Sequence, residues 1–511
     1  RVSFASPTLP NRLHPGGQKE STPMSAPKSP ADIRNICLVG HAMSGKTTLV
    51  ERLLFTASQS GPDSGVHLKA MGTVEAGTSV GDYLDTEKHH KHSLHAKLVH
   101  FDFHGRLINI IDTPGLSDFI GHSIAAMPAC ETIAVVVDAV RGIESGTRRL
   151  MTIAAERHIP RMIIINKIES PEADLEGLVE QLRAHFGAEC LPINLPADGR
   201  KKIINVFDHD GKDAAGNNTD FSSVADAHKA IIEQIVEVEE FLMETYLEKG
   251  EAFSKEDLHE AFEKCLGQGH LIPICFVSAK TGLGAEDLMH VFADLCPAPA
   301  EVQPPEFAYR SISPSGEAGE DQEFIPKPDP AAKVLAHVFK VALDPFVGKL
   351  AYFRVHSGTV RSKADLFIND TKKPIRIGHL FKLQGKDHVE VHELAAGDIG
   401  AVAKIDELHF NAVIHESHEH DSVHLIPLPL PKPMYGLAIE LKNHADETKF
   451  AGACAKLQED DPCFKVDRIP ATKQTVMRGL GELHLRIVME RIKQGFNIDL
   501  ITSVPKTAYK E

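Results

Sequence analysis

Gly40-His41-Ala42-Met43-Ser44-Gly45-Lys46-Thr47 constrains this chain more than any other stretch. Glycines near both ends of such a loop let the backbone curl until successive N–H groups point at one spot, which makes a cradle for phosphate. An apolar strand, Ile33–Val39, runs into the loop, and Leu49, Val50, Leu53 and Leu54 recur at helical spacing after it. Lys46 would set one cation on the β- and γ-phosphates, and the Thr47 hydroxyl would ligate Mg2+. His41, Ser44 and Thr48 complete the set expected around the phosphates.

Three further signals follow in order: Asp112-Thr113-Pro114-Gly115, Asn166-Lys167-Ile168-Glu169 and Ser278-Ala279-Lys280. Each stands where an apolar run ends, at Leu107–Ile111, Met162–Ile165 and Ile274–Val277, and Ile133–Val137 adds another strand. Strands alternating with helical segments predict a mostly parallel sheet covered on both faces, with ligands at the carboxyl ends of its strands. Asp112 would touch the metal's water shell, and Gly115 would offer its N–H to the γ-phosphate. Asn166 and Lys167 would brace the base and the loop, and Ser278, Ala279 and Lys280 would line the base from a second loop. A carboxylate at Glu169 can accept both N1–H and the 2-amino group of guanine, a donor pair adenine lacks, so the pattern points to GTP and GDP.

Length and composition fit several soluble domains: 511 residues, 42% hydrophobic, 25% charged, and no apolar run long enough to span a bilayer. A net charge of -16 argues against loose nucleic-acid binding, so neither DNA nor a membrane is expected as a partner. The eight cysteines show no CxxC pair and read as reduced thiols of a cytoplasmic monomer.

The expected organisation is a flexible tail (1–30), a P-loop GTPase domain (31–298) with an insertion at about 187–265, and a linker (299–330). Short alternating strands over 331–425 predict a β-barrel, and 432–502 reads as a ferredoxin-like βαββαβ unit. The fold class is therefore multidomain α/β. The tail holds Arg1, Arg12 and few acids, so a transit-peptide reading stays open beside that of a plain tail, and Met24 offers a start within it.

With these signals in order, the chain resembles the translational GTPases, and specifically elongation factor G or a divergent paralogue. Asp344-Pro345-Phe346-Val347-Gly348, Phe353-Arg354-Val355-His356-Ser357-Gly358 and Ala396-Gly397-Asp398-Ile399 resemble that family's second domain. Glu459-Asp460-Asp461-Pro462 and Gly479-Leu480-Gly481-Glu482-Leu483-His484-Leu485 resemble its third. The resemblance implies a ribosome-dependent GTPase of translation elongation, with ribosomal RNA and stalk proteins as partners. It also implies two further domains beyond Pro505–Glu511, so the sequence is read as the front part of a longer chain, with a natural truncation as the alternative.

The departures are specific. The family has His directly after the DTPG motif, where it orders the attacking water, and this chain has Leu116. An aliphatic group cannot orient water, and losing such a group costs on the order of 10²–10⁴ in rate. Impaired hydrolysis is therefore expected, and a non-hydrolysing GTP-binding module or a ribosome recycling or protection role are the competing readings. His122 is expected on the following helix, away from the water. Glu169 stands where the family has Asp, and Met43 replaces a common Asp. Ser93 aligns with the threonine that closes over Mg2+, so Thr47, Ser93 and Asp112 form the expected metal set. The clusters His89, His90, His92 and His415, His418, His420 are expected as exposed loop residues.

Overall fold

The computed structural model describes residues 28–206, 219–238, 240–249, 255–312, 318–344 and 347–506. The tail before residue 28, the turn-rich part of the insertion at 207–218, the Pro345-Phe346 pair and the closing 507–511 lie outside the described residues.

Runs of β-branched residues form the centre of the first unit. Its strands are β1 (Ile33–Val39), β2 (Lys97–Phe103), β3 (Arg106–Asp112), β4 (Thr132–Asp138), β5 (Arg161–Asn166) and β6 (Cys190–Pro192). A side hairpin, β7 (Asn194–Ala197) and β8 (Lys202–Asn205), precedes β9 (Ile272–Val277). The seven-stranded sheet runs β2-β3-β1-β4-β5-β9-β6, and only β2 is antiparallel to its neighbour. Every residue of β1, β4 and β9 is buried, as expected for strands covered on both faces. The insertion adds helices Val224–Val236, Glu240–Lys249 and Lys255–Gly267.

The second unit is β-rich. An eight-stranded antiparallel sheet includes Leu335–Asp344, Gly348–Ser357, Leu380–Gln384 and Ile399–Ala403, and it closes on an apolar core of Val338, Phe353, Val355, Leu394 and Ile414. The third unit orders Tyr435–Leu441, Lys465–Ile469, Gln474–Gly479 and Leu500–Ser503 so that the second strand edges the sheet beside the third, and the first separates third from fourth. Helices Glu447–Asp460 and Glu482–Phe496 cover it, which is the ferredoxin-like arrangement. Asn497 takes φ 51° and ends the second of these helices as a left-handed cap before the last strand.

One stretch differs from its sequence reading. Within 299–330, Phe307–Ile312 and Ala318–Phe324 pair as antiparallel strands, and Phe307–Ile312 also pairs with Val423–Leu425. Phe307 anchors this hairpin against Leu335, Val413 and Leu425. The acidic partner strand is exposed, so no alternation marks it in the sequence.

A buried polar network fastens the first unit to the second at the end of β1 away from the phosphate loop. Arg354 Nη2 lies 2.6 Å from Glu131 Oε1, and Asn35 Nδ2 donates to Glu131 Oε2 at 2.7 Å and to Gly397 O at 2.9 Å. Asn109 Nδ2 donates to Asn35 Oδ1, and Lys382 Nζ reaches both Asn109 Oδ1 and Asp398 Oδ1. Burial holds the Glu131 carboxyl above its usual range, opposed by Arg354. Removing one member strands a buried charge. Arg354→Met should therefore cost about 3–5 kcal/mol, seen as a lowered unfolding midpoint, and adding Glu131→Gln should recover most of it.

Candidate functional site

The carboxyl ends of β1, β3, β5 and β9 bring four loops to one edge of the sheet. The phosphate loop turns at Gly40 (φ 139°) and Gly45 (φ 90°), where a side chain would be strained. A Cβ on Gly40 would also lie 2.4 Å from Val136 O, and one on Gly45 would lie 2.5 Å from Asn166 Nδ2. Lys46 Nζ donates to Gly40 O at 2.9 Å and His41 O at 2.8 Å, and burial lowers its pKa to about 8. Gly115 packs so close that a Cβ there would lie 2.4 Å from Lys46 Nζ and 2.7 Å from Ala42 N. Thr48 is half-buried on the helix turn that Lys46 and Thr47 begin. The His41 ring turns outward, with Nε2 3.3 Å from Glu144 Oε1.

The hydroxyls and carboxylates expected to hold metal come together. Thr47 Oγ1 donates to Asp112 Oδ2 at 2.7 Å and lies 3.0 Å from Ser93 Oγ, which donates to Asp82 Oδ2 at 3.1 Å. Burial raises the Asp112 pKa to about 6. Burial, together with the Glu87 and Asp112 charges, raises Asp82 to about 7. Carboxylates crowded in this way favour a cation between them. Asp82 Oδ1, Asp112 Oδ1 and Ser44 Oγ are buried with no hydrogen-bond partner among the described residues. A buried acceptor left unmade costs about 1–3 kcal/mol, and hard oxygen donors of this kind suit Mg2+.

The base side is built as struts. Asn166 Nδ2 donates to Ser44 O at 2.9 Å, and Ala279 N donates to Asn166 Oδ1 at 3.0 Å, so one side chain ties the phosphate loop to the Ser278-Ala279-Lys280 loop. Lys167 Nζ reaches Met43 O and Asp138 Oδ2, each at 2.7 Å. Ser278 is fully buried, and its Oγ accepts from Thr281 N. Lys280 is exposed, with its carbonyl held by Arg52. Glu169 Oε2 is another buried oxygen without a partner among the described residues.

Several residues that sequence reading did not single out hold this site. Glu51 takes Ser79 Oγ and Val80 N, each at 2.7 Å, pinning the loop before Asp82. Glu87 accepts from Leu94 N and His95 N and pairs with Lys97 at 2.7 Å, which fixes Ser93. Asp138 holds Lys167. Glu51 within an apolar run and Asp138 at the end of one are signals in the sequence, whereas Glu87 lies in a charged stretch that offers none.

Leu116 is half-buried on an apolar cluster. It packs with Leu94, Phe119, Leu483 and Ile487, so both loops around the phosphates share an apolar contact with the Glu482–Phe496 helix. Asp118 Oδ2 accepts from His484 N at 3.1 Å near the start of that helix. His122 is buried on helix Ile120–Ala126, where its Nε2 lies 3.6 Å from Asp461 Oδ2, while His484 Nε2 lies 2.8 Å from the same oxygen. These histidines hold Asp461 well below its ordinary range despite burial. His122 thus turns to the third unit and away from the cradle. The histidine clusters are only partly exposed: His415 is fully buried, with Nε2 2.6 Å from Asn369 O, whereas His418 and His89 are exposed.

Comparison with known proteins agrees with this geometry. Residues 31–298 match the family model of the elongation factor Tu GTP binding domain. Residues 333–416 match elongation factor G domain 2, and 430–504 match elongation factor G domain III. A crystal structure of a Thermus thermophilus protein is 31% identical, with a TM-score of 0.77, over 93% of this chain and 68% of that one.

Two outcomes are expected in equilibrium binding with a fluorescent nucleotide. Lys46→Ala should weaken GTP and GDP ten- to a hundredfold, about the worth of one charged hydrogen bond. Glu169→Asp should tighten GTP several-fold and leave ATP unchanged.

Proposed function

The chain belongs to the elongation factor G family of translational GTPases, and on that premise we propose that it is a ribosome-associated GTP-binding protein with slow intrinsic hydrolysis. The observation that carries the reading is the apolar seat of Leu116 at the position after Gly115. Around it, the unpartnered oxygens of Ser44, Asp82, Asp112 and Glu169 sit in the motif loops where phosphate, metal and base are expected.

In this reading Gly40 to Thr47 bind the phosphates through backbone N–H groups, and Lys46 neutralises the β- and γ-oxygens. Thr47, Ser93 and Asp112, backed by Asp82, would hold Mg2+, which when bound offsets charge on the phosphate oxygens. Asn166, Lys167, Ser278, Ala279 and Lys280 shape the base pocket, and Glu169 reads the guanine edge. Gly115 reports the γ-phosphate. Leu116 excludes water from its own position and leaves the attacking water without a side-chain partner there. Closure of the two loops bears on the Glu482–Phe496 helix through Leu94, Leu116 and Asp118, which gives the nucleotide a lever on the third unit. The ribosome, with its RNA and stalk proteins, is the expected reader of that state in the cytoplasm, in elongation or in recycling or protection.

A second reading, a GTP-binding module that does not hydrolyse, draws on the same Leu116 packing. Single-turnover phosphate release with and without ribosomes separates them. The first reading expects slow release that ribosomes accelerate, and Leu116→His should raise it by about 10²–10⁴. Release that stays at background with ribosomes and in Leu116→His would leave only the binding module.

A further inference from the structure

The turn between β2 and β3 carries a histidine in an uncommon conformation. Phe103 pairs with Arg106, so His104 (φ 50°) and Gly105 (φ 77°) form a two-residue hairpin loop with both residues left-handed. Asn or Asp normally takes the first place in such a loop. A bulky ring there points to a use for the side chain. The ring stacks on buried Phe103 at 4.4 Å and 3°, and meets His290 edge-on at 4.3 Å. Phe103 also contacts His290 at 5.0 Å, so one buried ring fixes both imidazoles.

His290 and Asp294 stand four residues apart where helix Ala285–His290 runs on into Val291–Leu295, so both face the hairpin tip. His104 Nδ1 and His290 Nδ1 lie 3.5 and 3.3 Å from the same oxygen, Asp294 Oδ2. The His290 contact is itself a hydrogen bond and ion pair, longer than the about 2.7–2.9 Å of a well-closed charge-assisted bond. Bonds of about 2.0–2.1 Å to a tetrahedral zinc instead set ligand edges of about 3.3–3.4 Å. Candidate ligand atoms of all three residues lie within 4.8 Å of one another.

We propose that His104, His290 and Asp294 form a site for a divalent transition-metal ion of the zinc class, with water completing its coordination. The ion joins the β2–β3 tip to the helix that closes the first unit. Two imidazole nitrogens and one carboxylate select Zn2+, Ni2+ or Cu2+ over Mg2+, which requires oxygen ligands. Lys28 reaches the same turn through Gly105 O but is paired with Asp102 at 3.0 Å, so its charge is offset. A second cluster, His89, His90 and Glu490, holds a tighter ion pair, with His90 Nε2 2.9 Å from Glu490 Oε2.

The test is calorimetric titration of the whole chain with ZnCl2 in magnesium buffer free of chelator. His104→Ala and Asp294→Asn are compared with His90→Ala, and unchanged GTP affinity reports an intact fold. One zinc equivalent is expected, weakened at least tenfold in His104→Ala and Asp294→Asn and kept in His90→Ala. Co2+ in place of zinc should give visible absorption that the same two variants lose. Zinc uptake that is absent, untouched by both substitutions, or lost only in His90→Ala would overturn the proposal.

Discussion

Two buried carboxylates, Asp82 and Asp112, converge on the Thr47 and Ser93 hydroxyls at the edge of a parallel sheet, and the rest of the site is arranged around that crowding. Left alone, the carboxylates hold on to protons more firmly than ordinary acids, and two of their oxygens lack partners. A divalent cation relieves both problems at once. Glycines allow the approach: no side chain fits at Gly40, Gly45 or Gly115 without meeting backbone, a base-loop amide or Lys46.

The same edge of the sheet is where the third unit docks. The Glu482–Phe496 helix receives Leu94 from one phosphate-facing loop and Leu116 from the other, and Asp118 accepts from its first turn. Leu116, directly after Gly115, is thereby part of an apolar seam between units. The His122–Asp461–His484 group lies behind that seam and adds buried charge to it.

Sequence reading reached the fold class, the order of the units and the strand ends that carry the glycine loop and the later motifs, because glycine spacing and apolar periodicity are local signals. It also placed Ser93 near Thr47 through alignment alone. It passed over Glu51 and Glu87, whose roles depend on backbone N–H groups that fold back from elsewhere in the chain. The hairpin at Phe307–Phe324 escaped because one of its strands is acidic and exposed. His415 reads as a loop residue by composition, yet a partner carbonyl on Asn369 lets it be fully buried.

The central claim is that magnesium and a guanine nucleotide complete one prepared pocket. The most direct measurement is the affinity of the purified chain for GTP, GDP and ATP, each with Mg2+ and after chelation. The account predicts that GTP and GDP bind with Mg2+, that ATP binds far more weakly, and that chelation weakens GTP. Uptake of neither guanine nucleotide in the presence of Mg2+ would contradict it.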